Sequence, residues 1–64
     1  MIGSVRRRGN VLDIFDPQGR LIGTIGIGSR DELLGWTTDT VVVRRGRVVY
    51  HYDARGRIRA TRPG

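Results

Sequence analysis

The chain has 64 residues, with twelve arginines and no lysine, six acidic residues and one histidine, for a net charge of +6. A chain this short forms at most one domain, 1–64, and buries only about 60% of the surface its unfolded form exposes. There is no cysteine for a disulfide and no Cys/His cluster for a structural metal, so oligomerisation is the remaining support for so small a fold. No apolar run approaches the roughly 18 residues of a membrane helix, and MIGSVRRRGN has no apolar leader core, so a soluble, cytoplasmic protein without a membrane partner is expected.

Ile2 and Val5, ahead of Arg6-Arg7-Arg8, predict a short first strand entering a tight turn at Arg8-Gly9-Asn10. In Val11-Leu12-Asp13-Ile14-Phe15, Val11, Asp13 and Phe15 share one face and Leu12 and Ile14 the other, so both faces carry apolar side chains and burial on two sides is expected. Asp16-Pro17-Gln18-Gly19 reads as a hairpin turn. The Asp accepts hydrogen bonds from amides ahead of it, Pro17 has the φ its position needs, and Gly19 supplies the left-handed residue of a bulge. That register sets Asp16 across from Arg20 as an ion pair and Phe15 across from Leu21 as an apolar pair. Beyond the turn, Leu21, Gly23, Ile25 and Ile27 fall on one face at period two. Glycines 23, 26 and 28 allow a bend or the close approach of another backbone. Their spacing is neither the dinucleotide fingerprint nor a Walker loop, which argues against a phosphate cradle.

Ser29-Arg30-Asp31-Glu32 matches a capping box and Leu33-Leu34-Gly35 supplies an apolar turn with a stop, so one or two helical turns are expected within the connector, residues 28–40. Trp36 is expected to cap the core. Thr40-Val41-Val42-Val43 then starts a β-branched strand. Val48, Tyr50 and Tyr52 share a face opposite Val49 and His51, and Asp53-Ala54-Arg55-Gly56 forms a second turn. The same register places Asp53 across from Arg57, Tyr52 from Ile58, His51 from Arg59 and Tyr50 from Ala60. The tail Arg62-Pro63-Gly64 is expected to fray.

Arg44–Arg59 reads as a second copy of Arg7–Ile22. Arg7/Arg44, Arg8/Arg45, Gly9/Gly46, Val11/Val48, Asp16/Asp53, Gly19/Gly56 and Arg20/Arg57 are identical, and Phe15/Tyr52 and Leu21/Ile58 stay within class. These are turn-makers and core-formers, so the duplication specifies architecture and no chemistry. The fold expected is all-β, with an internal repeat at 4–27 and 41–62. Each copy is a three-stranded antiparallel meander, and a short helical turn joins them. The whole forms a small barrel or sandwich, or a propeller-like oligomeric assembly.

Tyr50-His51-Tyr52-Asp53-Ala54-Arg55-Gly56-Arg57-Ile58 resembles the Tyr-Asp repeat of rearrangement-hotspot and teneurin-type proteins, and Phe15-Asp16-Pro17-Gln18-Gly19-Arg20-Leu21 resembles a degenerate form of it. The resemblance implies β-hairpin units. It does not imply encapsulation, because those families use many closely spaced units and this chain has two. Overall, an arginine-rich duplicated β-protein of this length is similar to small bacterial and prophage proteins, a likeness from which no activity follows.

Catalysis is not expected. There is one histidine, no cysteine and no serine in a nucleophile motif, and Asp13 and Asp16, three apart on a strand, point to opposite faces, so nucleophile, base and orienting group cannot be assembled. No catalytic residue, cofactor or metal ligand is assigned. Two functions remain. One is a non-catalytic interaction or structural module that forms a homo-oligomer, since strands apolar on both faces and open sheet edges need a covering partner. The alternative is a nucleic-acid or other polyanion-binding protein, with Arg44, Arg45, Arg47, Arg55, Arg57, Arg59 and His51 as the binding set. Tyr50 and Tyr52, the aromatics that would stack on bases, fall on the face assigned to the core.

Overall fold

The computed structural model describes residues 1–63. It is all-β, with strands β1 (Ser4–Arg8), β2 (Val11–Phe15), β3 (Leu21–Gly26), β4 (Glu32–Trp36), β5 (Val41–Arg45), β6 (Val48–Tyr52) and β7 (Ile58–Pro63). They form two antiparallel sheets, β1-β2-β3 and β4-β5-β6-β7, each in chain order. Sequential neighbours pair because each link between strands of a sheet is a short turn.

The turns follow from a few residues. Gly9 and Gly46 have φ of 61° and 59°, and Gly19 and Gly56 both have φ of 85°, a region that disfavours any side chain. Asp16 Oδ1 accepts hydrogen bonds from the amides of Gln18 (3.0 Å) and Arg20 (2.8 Å), and Asp53 Oδ1 accepts from those of Arg55 and Arg57, both at 2.9 Å. The amides of Gly19 and Gly56 close the turns onto Asp16 O (3.0 Å) and Asp53 O (3.1 Å). The Asp16–Arg20 and Asp53–Arg57 ion pairs expected from the sequence do not form among the described residues. The carboxylates instead hold the backbone amides of those arginines, an intramolecular bond that needs no ordering of a long side chain.

Phe15 faces Leu21 and Tyr52 faces Ile58, as the turn rule requires. One residue further in, the rule fails in both hairpins. Ile14 faces Gly23 and His51 faces Ala60, so Ile22 and Arg59 are extra residues in bulges, and Tyr50 lies opposite Thr61 instead of Ala60. The bulge also breaks the period-two run of β3, which leaves Leu21 56% exposed while Ile25 and Ile27 are buried.

The expected helical turn between the halves is replaced by a strand. Asp31, in place of Ser29, makes the capping bond: its Oδ2 accepts from Gly28 N at 2.7 Å, and its own amide donates to Gly28 O at 3.1 Å. The chain leaves this turn as β4, which pairs along β5 from Glu32↔Arg44 to Trp36↔Val41 with Leu34 bulged out. A single helical turn satisfies few backbone groups, whereas the edge of β5 supplies a ladder for four of the five residues. The second sheet therefore has four strands, not three. Neither sheet closes into a barrel: β1, β3, β4 and β7 are edges. Trp36, expected over the core, is 43% exposed on the edge strand β4, whereas Leu33 of the same strand packs against the core. Arg62 and Pro63, expected to fray, end β7, and Gly64 lies outside the described residues.

One core joins the sheets. Leu12, Ile14 and Ile25 come from the first sheet, Val41, Val43 and Tyr52 from the second, and Ile2, Val5 and Ile27 complete the cluster. Leu12, Ile14, Val41 and Val43 are fully buried, each worth about 1.5–3 kcal/mol of transfer free energy. Backbone bonds tie the ends: Ile2 N donates to Thr38 O at 2.6 Å, and Ile27 N donates to Asn10 O at 2.8 Å. The β6–β7 turn lies on β3, where a Cβ on Gly23 would come within 2.6 Å of Ala54 O. That contact explains a glycine inside a strand: it lets another backbone approach closely.

Candidate functional site

The seven side chains singled out from the sequence do not gather in one place. Arg44 is exposed on β5, its Nε donating to Gly46 O at 3.2 Å. Arg47 is exposed in the turn before β6, and Arg55 and Arg57 are exposed around the turn after it, so the strand separates them. His51 is half-buried in β6, between Val42 and Ala60. Arg59, the bulge residue, leans on the connector, with Nη1 3.8 Å from Asp39 Oδ2 and 3.5 Å from Thr40 Oγ1.

Arg45 is different in kind. Its guanidinium stands 5.3 Å from the centroid of Tyr50 and 5.8 Å from that of Tyr52, and those rings stack on each other 6.2 Å apart. Its Nε is 3.3 Å from Asp31 Oδ2 and its Nη2 donates to Gly26 O. Arg45 thus joins the second sheet to the end of β3 and to the Gly28–Asp31 turn, and it is spent within the fold. Tyr52 is 4% exposed, so neither its ring nor the covered face of Tyr50 is free to stack on a base. Arg7 is engaged in the same way, donating to Asp31 O at 2.9 Å, Gly28 O at 3.2 Å and Gly9 O at 3.1 Å.

The outward face of the first sheet carries Asp13, which the sequence marks only as a carboxylate that does not converge with Asp16. Asp13 is only 8% exposed, its Oδ2 is 3.0 Å from Arg8 Nε, and its Oδ1 is buried without a hydrogen-bond partner. That bond raises the Arg8 guanidinium above its ordinary value. Near it, Ser4, Arg6, Phe15 and Gly19 line an open hollow of about 260 Å³. The hollow has one hydroxyl and no base to activate it, so no nucleophile–base pair is assembled there. Among the described residues no group of three His, Cys, Asp or Glu side chains is placed to hold a metal ion, and no helix is long and apolar enough to cross a membrane.

The exposed apolar side chains are more orderly. Leu21, Leu34, Trp36 and Ile58 are 56%, 50%, 43% and 58% exposed, and all four belong to edge strands: Leu21 to β3, Leu34 and Trp36 to β4, and Ile58 to β7. No local pattern could have found this set, since a strand is an edge only by virtue of the strands that do not pair with it. Comparison of the chain with models of known protein families, with curated proteins and with solved structures gives no match.

Proposed function

We propose that this chain is a non-catalytic β module that works by self-association. The observation that carries the reading is that, apart from the N-terminal Met1, the exposed large apolar side chains, Leu21, Leu34, Trp36 and Ile58, all lie on strands whose outer edges are open. Open edges with apolar side chains are what a stable monomer avoids and an assembling unit requires. The duplication read from the sequence supports a repeating architecture. Gly9/Gly46 and Gly19/Gly56 have near-equal φ, and the bulged Ile22 and Arg59 stand at the same offset. A meander of this kind is the unit of propeller-like assemblies, which a two-unit chain completes by oligomerising. Light scattering coupled to size exclusion tests the proposal. A species larger than the monomer at micromolar concentration is expected, and a strictly monomeric one overturns it.

Polyanion binding is the second reading. It is favoured by Arg6, Arg20, Arg30, Arg47, Arg55, Arg57 and Arg62, whose exposed guanidiniums have no ion pair or hydrogen bond among the described residues. Such a spread of charge suits contact with phosphates more than recognition of a sequence. Titration of single- and double-stranded oligonucleotides across a salt series tests it. Affinity that falls steeply with salt supports the reading, and no binding at low salt removes it.

A further inference from the structure

We infer that the four-stranded sheet is extended by a second copy of this chain, with β7 of one molecule pairing antiparallel to β4 of the next. The inference rests on the self-association proposed above and names the surface that performs it. The sheet is a meander, so β4 and β7 run in opposite directions and a second copy laid against β7 continues the antiparallel alternation without rearrangement. Both edges cover four common rows of the sheet, and β7 runs one row further, to Pro63 opposite Val48. The first row is Trp36, Val41, Tyr52, Ile58, and the fourth is Glu32, Arg44, Val49, Arg62. Each edge reaches that span with one bulged residue, Leu34 on β4 and Arg59 on β7.

Carrying the rows across the interface sets Ile58 opposite Trp36 of the second copy and Arg62 opposite its Glu32. Ile58 and Trp36 are among the few large apolar side chains left exposed, and each would cover the other. Glu32 has no ion pair among the described residues, although Arg44 is its neighbour across the ladder, and Arg62 has none either. The contact is therefore apolar at one end and oppositely charged at the other, a polarity that favours this register over a shifted or parallel pairing. The two surfaces differ, so the contact is head-to-tail and builds rings or filaments in place of simple two-fold dimers.

The absence of cysteine from the chain gives a direct test. Within one molecule, positions 36 and 58 stand three strand spacings apart, about 14 Å, too far for a disulfide. A chain carrying Trp36→Cys with Ile58→Cys should give, on oxidation, a non-reducing gel ladder of covalent multiples, whereas Trp36→Cys with Leu21→Cys should give none. In parallel, Glu32→Arg or Arg62→Glu alone should weaken assembly about tenfold and the two together should restore it. A wild-type chain that is only monomeric removes the self-association reading and this interface with it. A wild-type chain that assembles, while the first cysteine pair gives no ladder or the control pair gives an equal one, overturns the edge-to-edge arrangement and leaves self-association standing.

Discussion

Gly19 and Gly56 share a φ of 85° but differ in their surroundings: a Cβ on Gly19 would meet nothing, and one on Gly56 would collide with Thr24 O. Gly19→Ala should therefore cost only left-handed strain, about 1–2 kcal/mol. Gly56→Ala should add an overpacking penalty of about 1–3 kcal/mol, a large share of the stability of so small a domain, and denaturant unfolding of the two variants measures the difference. Asp13 supplies a second contrast. Arg8→Ala leaves a buried carboxylate unpaired, whereas Asp13→Val removes the carboxylate and suits the strand, so Arg8→Ala should be the less stable of the two in the same measurement. The titrating groups set the pH range. The amide of Arg57 above all, with that of Arg55, holds the Asp53 carboxyl below its ordinary 3.8, and hydrogen bonds from Thr37 and Thr40 do the same for Asp39. Burial raises the Tyr52 hydroxyl above its ordinary 10.0. A depressed acid contributes stability above its unfolded value and loses it as pH falls through the folded one. A raised tyrosine contributes below 10.0 and loses it as pH rises through its folded value. The thermal midpoint should thus decline below about pH 4 and above about pH 10, with Asp53→Asn flattening the acid limb and Tyr52→Phe the alkaline one.

Among the elements, β4 and the end of β5 decide how the sheets are joined. β4 carries the residues that sequence reading assigned to a helical turn, because the capping-box pattern of Ser29 and Glu32 is local and the open edge of β5 is not. Hydrogen bonding to that edge outweighs a weak local preference. At the end of β5, Arg45 binds the carbonyl of Gly26, the carboxylate of Asp31 and the faces of two tyrosines. A lysine keeps the charge but loses the planar fork that makes these contacts together. Arg45→Lys should lower stability by about 1–2 kcal/mol and change the near-ultraviolet dichroism of Tyr50 and Tyr52, whereas Arg47→Lys, in an exposed turn, should change neither. The arginine run around position 45 was legible as basic. Its division into Arg45, held inside the fold, and Arg44 and Arg47, left exposed, was not, since alternation along a strand means nothing until the sheet it faces is in place.

For the whole molecule, the proposed self-association would tie stability to concentration. An assembly that only the folded chain can join raises the unfolding midpoint by mass action, so a tenfold rise in protein concentration should raise the thermal midpoint, and a variant whose assembly is weakened tenfold should need about tenfold more protein to reach the same midpoint. Scanning calorimetry of the wild-type chain and of Arg62→Glu at two concentrations makes the comparison.

What the amino-acid order determined alone lies within the reach of a turn. Asp16 and Asp53 bind the amides that follow them, glycine takes the left-handed positions, and Phe15 meets Leu21 as Tyr52 meets Ile58, because the partners are a few residues apart and the backbone geometry between them leaves few choices. Only the tertiary structure decided which strands are edges, that Trp36 lies outside the core, that β4 is a strand and that Arg45 is internal. Each of these depends on segments distant in sequence coming together, and the free energy of that packing exceeds the local preferences from which a sequence is read.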